Sequence, residues 1–362
     1  MQRVRIQRFT TAGVTLGVMA LSLAACSSSN SNPPSSGGSS SGGGSSLSGT
    51  LNASGSTFQL TFQQAAIQAY KAIEPNVTVN YGGGGSGKGR TDLASGTVQF
   101  AGSDSPIPSD EKSSFKGKTV LYFPVIIGPI TMSYNLSGVS NLKLTPTVIA
   151  DIFQGKITSW NNSAIKAINP GASLPSTPIT IAVRADSSGT TQNFSLFLMD
   201  AAPSVWTLGS SSTIKWPSTA HAAQGNSGVA QVIKTTPGAI GYVDFSTAKA
   251  TGLTFASVKN KAGSYIAPSA AAASASAATA TVAPDLTFHA VWGSSATAYP
   301  ITYQSWDLVY AKQPNANDAA LLKAYLGYLL GSGQSLLPSL FYAPLPASID
   351  SMAKAQLSQI TS

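Results

Sequence analysis

Three short stretches of this chain pair glycine with small hydroxyl residues: Ser54-Gly55-Ser56-Thr57-Phe58, Ser86-Gly87-Lys88-Gly89 and Ser187-Ser188-Gly189-Thr190. Each stands where a strand-like or loop pattern gives way to a helical one. A helix start presents unpaired backbone N–H groups and roughly half a positive charge; hydroxyl side chains cap it, and glycine lets the backbone approach a bound group closely. One such stretch reads as an ordinary cap. Three of them converging would make a cradle for an anion.

Two ionisable residues sharpen this reading. Arg184 ends the apolar alternation Ile179, Ile181, Val183 and leads into the third stretch, and its planar fork suits two oxygens of a tetrahedral oxyanion. Asp104, in Gly102-Ser103-Asp104-Ser105-Pro106, is out of place beside an anion unless that anion carries a proton. Phosphate near neutral pH has one to donate and sulfate has none, so a buried carboxylate would favour the first and repel the second. Asp186 is placed to orient Arg184 rather than to touch a ligand.

Residues 81–90, YGGGGSGKGR, also satisfy two nucleotide-binding patterns, Gly82-x-Gly84-x-x-Gly87 and Gly82-x4-Gly87-Lys88. The first lacks a long adjoining helix and an acidic residue in the ribose-reading context about twenty positions on. The second has Gly89 where a magnesium-binding Ser or Thr belongs. What the two patterns share is a glycine turn offering N–H groups at a helix start.

The elements that must position these residues read as alternating short strands and helices, an α/β pattern with open, largely parallel sheets. Phe62, Ala66, Ala69, Tyr70 and Ile73 predict one face of a helix that begins near Gln59 and stops near Pro75; Val77, Val79 and Tyr81 predict a strand running into the glycine loop, with a helix over residues 90–94 beyond it. Residues 120–134 are apolar and long enough to cross between lobes, residues 239–245 and 301–311 read as buried strands, and residues 318–330 as a helix. The Ala/Ser run at 268–283 is expected to be a surface helix.

Arg3, Arg5 and Arg8 precede an uncharged run ending in Leu23-Ala24-Ala25-Cys26, the pattern of an export signal over residues 1–25. The run is short and diluted for a transmembrane helix. Cys26 is the only cysteine, so an intrachain disulfide is excluded, and its setting matches a lipidation site. Residues 26–47, rich in Ser and Gly, read as a flexible tether with a reach on the order of 25 Å. Without its signal the chain has 18 basic against 13 acidic residues, a net charge of +5, and no basic cluster interleaved with aromatics. That excludes a nucleic-acid footprint and suits small anions. The remaining length is above the size at which one core splits, so two lobes are expected.

The motifs SGSTF, VNYGGGGSGKG, GSDSPIPSDE, FPVIIGPI, LTPTVIADIFQGKITSWNNSAIKAINPG, ITIAVRADSSGTT, STIKWP, PGAIGYVDF and YAPLP occur in an order that resembles the PstS-type phosphate-binding proteins of the phosphate-specific ABC importer. The resemblance runs from about Leu51 to the C-terminus. It implies a two-lobed class II periplasmic-binding-protein fold, each lobe an open mixed sheet flanked by helices with the ligand between them: residues 48–129 plus 253–362 in lobe 1 and residues 130–252 in lobe 2. It implies phosphate contacts at Thr57, Phe58, Ser86, Asp104, Arg184, Ser188, Gly189 and Thr190, with Asp186 holding Arg184. It also implies a monomer without cofactor or metal, tethered outside the membrane through Cys26 and partnered by an ABC permease. Lys88, the glycines before Ser86, and Ser187 depart from the family pattern.

Other classes fit less well. An exported hydrolase, such as a phosphate-ester hydrolase using a serine nucleophile, would need a Gly-x-Ser-x-Gly elbow at a strand-to-helix turn, and at Gly84-Gly85-Ser86-Gly87 the next residue is Lys88; His221 and His289 lie in unrelated contexts without zinc-ligand spacing. A binding protein or sensor for phosphate or another oxyanion, uncoupled from import, would keep the same cleft and change only the partner.

Overall fold

The computed structural model describes residues 47–362; the expected export signal, Cys26 and nearly all of the tether lie outside the described residues. Among those described, no helix is long and apolar enough to cross a membrane.

In chain order the elements are β1 (Gly49–Gly55), α1 (Leu60–Ile73), β2 (Val77–Gly82), α2 (Ser86–Ser95), β3 (Phe100–Ser103) and the long β4 (Val120–Tyr134). Next come β5 (Lys143–Leu144), α3 (Pro146–Phe153), α4 (Ser163–Ile168), β6 (Thr180–Arg184), α5 (Gly189–Ala201), β7 (His221–Ala223), α6 (Gly225–Thr235), β8 (Ala239–Asp244) and α7 (Phe245–Thr251). The chain finishes with β9 (Thr254–Phe255), β10 (Ser257–Lys259), β11 (Tyr265–Ile266), α8 (Ala270–Ala277), β12 (Thr302–Tyr310), α9 (Ala316–Leu330) and α10 (Ala347–Gln356).

The main sheet runs β2-β1-β3-β12-β4-β8-β6-β7, with β9 also on β4, and is curled and open with helices around it. β4 joins its two ends. From Val120 to Pro129 it pairs with β12, and from Ile130 to Tyr134 it pairs with β8. Residues 121–134 are buried throughout, which is why this strand reads as one apolar run instead of an alternation. β1 is parallel to β2 and β3, and β6 is parallel to β7 and β8, but β4 is antiparallel to β8 and β12 to both β3 and β4. The sheet is therefore mixed rather than largely parallel. The antiparallel pairs are made by β12, which returns from far along the chain, and by β4, which crosses to β8, and local alternation shows neither.

Local expectations are corrected at three places. α2 begins at Ser86, not at Arg90: Gly84 and Gly85 adopt φ of +130° and +92°, finish the turn, and leave Ser86 to Gly89 as the first helical turn. Ile73 has the right angle on α1 but is 56% exposed, because it is the last helical residue and nothing covers it; Phe62, Gln63, Ala66 and Tyr70 form the buried arc. In the Ala/Ser run, α8 is not a surface helix. Ala272, Ala273, Ser276 and Ala277 are buried, their small side chains letting the helix lie against β4 and β12.

Gln63 introduces a polar network into the core. Its Nε2 donates to both oxygens of Asp307 (3.3 and 3.1 Å) and to Gln59 Oε1 (2.9 Å), and its Oε1 accepts from Tyr325 Oη (2.8 Å). Gln59 in turn donates to Ser305 Oγ and the Trp306 carbonyl, which fixes the start of α1 against β12. Burial pushes the Asp307 carboxyl up to about 8, although hydrogen bonds from Gln63 and Gln59 work against the shift. A raised carboxyl favours the folded state below its unfolded value, and that contribution is lost as pH rises from about 4 to about 8. Asp307→Asn should therefore gain stability relative to the parent between pH 5 and pH 8 in thermal melts; a constant difference would contradict a protonated Asp307.

Candidate functional site

The three glycine-hydroxyl stretches meet. The segment after β1 lies against that after β3: Ser56 Oγ donates to Asp104 Oδ1 (2.5 Å) while accepting from the backbone N–H groups of Phe58 (3.1 Å) and Gln59 (3.4 Å). Ser86, at the start of α2, accepts from the Asp104 backbone N–H through its Oγ (3.0 Å), which leaves its hydroxyl proton free to donate elsewhere. Gly189, the first residue of α5, packs on both. A β-carbon there would stand 2.4 Å from Ser86 Oγ and 2.5 Å from Asp104 Cβ, so only glycine brings the N-terminus of α5 this close.

Arg184, at the end of β6, faces the same point. Its Nε donates to Asp186 Oδ1 (2.9 Å) and its Nη2 to Asp186 Oδ2, while Nη1 reaches Thr190 Oγ1 (3.4 Å) and Asn226 Oδ1 (3.2 Å). Asp186 thus holds Arg184 through two hydrogen bonds. Burial works to raise the Asp186 carboxyl, but the hydrogen bonds and charge of Arg184, with the Gly225 N–H, leave it below the usual range. Ser188 caps α5, its Oγ accepting from the Thr191 N–H (3.2 Å), and the first N–H groups of that helix have no partner within it. Thr57 Oγ1 accepts from the Asn226 N–H (3.3 Å), and the Phe58 ring is buried in a stack with Tyr303 at 4.0 Å. All eight predicted contact residues and Asp186 are gathered in one region.

That region is closed across the two sides of the sheet. Gly87 N–H donates to the Ser187 carbonyl (3.0 Å), Asn193 Nδ2 to the Asp104 carbonyl (2.6 Å), and Asn226 N–H to Thr57. Lys88 points elsewhere: it is largely exposed and pairs with Asp92 one helical turn on, at 2.5 Å.

Asp104 is 1% exposed, and burial raises its carboxyl to about 6 against the pull of Ser305, Ser56, Arg184 and Ser86. Ser305 Oγ donates to the same Oδ1 as Ser56, also at 2.5 Å, so both hydroxyls serve one oxygen and leave Oδ2 as the freer acceptor. The charged groups facing the point of convergence are the Arg184 guanidinium, already matched by Asp186, and the Asp104 carboxyl, with the buried Asp244 close enough to feel both. Anion binding must then rest on neutral N–H and O–H donors.

Several of these residues gave no local signal. Ser305, Asn193 and Gln304 come from β12 and mid-α5, and Gln304 Nε2 reaches the Asp104 carbonyl and Asn193 Oδ1, both at 3.4 Å. Arg90 is fully buried in α2; its Nε and Nη2 take both oxygens of Glu111 (2.6 and 2.8 Å), and its Nη1 donates to Ser103 Oγ (3.2 Å) and Ser105 Oγ (3.0 Å). It clamps the residues on either side of Asp104. Only the glycine-serine spacing around Asp104 hinted at such a clamp, and it named no partner.

The chain matches a PBP superfamily domain over residues 40–332. It is 32% identical over 370 residues to the phosphate-binding protein PstS 3 of Mycobacterium tuberculosis, covering 99% of this chain and 100% of the relative. It is 32% identical over 317 residues to the phosphate-binding protein PstS of Pasteurella multocida, covering 85% and 89%. Its fold matches a high-affinity periplasmic phosphate-binding protein solved with phosphate, with a TM-score of 0.71 and 22% identity over 85% of this chain and 94% of that one. A phosphate-binding protein from Stenotrophomonas maltophilia gives a TM-score of 0.69 at 21% identity, covering 85% and 93%.

Arg90 is fully buried while Glu111 is about a third exposed, so removing the guanidinium forfeits its hydrogen bonds to Ser103, Ser105 and Glu111 but leaves Glu111 in reach of water. Arg90→Met should cost on the order of 2 kcal/mol in denaturant unfolding. A loss under about 0.5 kcal/mol, the size of an ordinary surface substitution, would refute the clamp.

Proposed function

The chain belongs to the PBP superfamily, among its PstS-type phosphate-binding proteins, and from that premise we propose that it captures inorganic phosphate outside the cytoplasm and passes it to an ABC import permease. It acts as a binding protein, not an enzyme. Phosphate sits where the starts of α1, α2 and α5 converge, contacted by Thr57, Phe58, Ser86, Asp104, Arg184, Ser188, Gly189 and Thr190. One lobe comprises residues 48–129 and 253–362 and the other residues 130–252, a division supported by the change of β4 from β12 to β8 between Pro129 and Ile130. Lipidation at Cys26 would hold a monomer at the outer face of the membrane, within reach of its permease.

The observation that carries this reading is Asp104: a buried carboxylate whose Oδ1 is served by two serines, set among the N–H donors of an anion cradle. Such a group needs a ligand that brings its own proton. Binding energy comes from many dipoles, and closure of the lobes around the anion excludes water.

Isothermal titration of the ligand-stripped protein with phosphate at pH 8 should give saturable heat, and its absence would end the proposal. Sulfate should be rejected at pH 8, where Asp104 is ionised. As pH falls through about 6 the carboxyl gains a proton and can donate, so sulfate binding should emerge. Asp104→Asn should bind sulfate already at pH 8 and should weaken phosphate by about 10-fold or more. A variant with unaltered phosphate-to-sulfate preference would show that Asp104 is not the discriminator.

A further inference from the structure

Asn226 opens the first turn of α6, an eleven-residue helix, and is 1% exposed. Its backbone N–H donates to Thr57 Oγ1 (3.3 Å) and its Oδ1 accepts from Arg184 Nη1 (3.2 Å), so it ties two of the predicted phosphate contacts together from opposite sides of the site. Its Nδ2 is buried and has no hydrogen-bond partner in the protein. The orientation of the amide is not arbitrary. Arginine only donates, so the oxygen must face the guanidinium and the NH2 must face away from it. A buried amide donor without an acceptor destabilises the empty site, a penalty that an oxyanion beside Arg184 would remove.

The charge balance favours such a donor. Asp186 already takes two of the hydrogen bonds of Arg184, and Asp104 adds a negative charge, so the cradle has no unmatched cation to spend on the ligand. A neutral N–H at the edge of the guanidinium adds attraction without adding charge that would also welcome other anions.

We propose that Asn226 is a further phosphate ligand, its Nδ2 donating to a phosphate oxygen beside Arg184. This rests on the reading that phosphate occupies the site. A crystal structure of the parent protein with phosphate should place Nδ2 within about 3.2 Å of a phosphate oxygen. A water on Nδ2, or a separation beyond hydrogen-bond reach, would overturn the assignment while leaving the phosphate site intact. In titrations Asn226→Ala should weaken phosphate about 10-fold or more. Asn226→Asp, which keeps an acceptor for Arg184 but puts a carboxylate oxygen where the donor stood, should weaken it further. Alanine affinity equal to the parent's would count against the contact, whereas a parent protein that takes up no phosphate at all would overturn the site reading and this inference together.

Discussion

In the proposed site a small, multiply charged anion would be held without a spare positive charge, and most of the architecture follows from that constraint. Arg184 is the guanidinium at the centre, and Asp186 already occupies two of its donors. Asp104 stands opposite as a buried carboxylate. What would offset the loss of the ligand's water is a set of oriented dipoles: helix-start N–H groups and hydroxyl protons, strong where water is excluded and useless if misplaced by an ångström. The site therefore needs rigid, close-packed supports.

Those supports come from two long strands. β4 and β12 run side by side, and β12 contributes Ser305 to Asp104 and a hydrogen-bond acceptor to Gln59 at the start of α1. The Gln63–Asp307–Tyr325 network ties α1 and α9 to the same strand. Arg90 does the equivalent for α2, linking it through Ser103 and Ser105 to the Asp104 loop. The proposed ligand contacts and the core polar groups are thus continuous, so a change in the core should be felt in the geometry of the cradle. Gly189 sets the tolerance, since a single added methyl would collide with Ser86 and Asp104.

The site was legible in the sequence to the extent that its chemistry is local. Glycine beside serine or threonine at a helix start is a pattern within four residues, and all three such stretches proved to converge. Arg184 and Asp186 are two positions apart and bond directly. Ser305, Asn193 and Asn226 were invisible because each acts on a residue between 42 and 201 positions away, and a single serine or asparagine in a strand or helix looks like any other. The burial of the Ala/Ser run is hidden for a related reason: with almost no large side chains its periodicity is weak, and only the packing shows that its alanines serve as a close-contact face.

Sequence alone determined which backbone positions could form anion-binding turns, because φ preference and helix capping are properties of a few consecutive residues. Through Asp104 it also raises the expectation that a ligand in such a cradle carries a proton. The tertiary structure alone decided that the three turns share one point, that both serine hydroxyls serve the same oxygen of Asp104, and that Arg184 keeps donors for Thr190 and Asn226 after pairing with Asp186. Those outcomes depend on the antiparallel return of β12 and on the crossing of β4 from one half of the sheet to the other, contacts whose energy lies in burial between segments far apart along the chain.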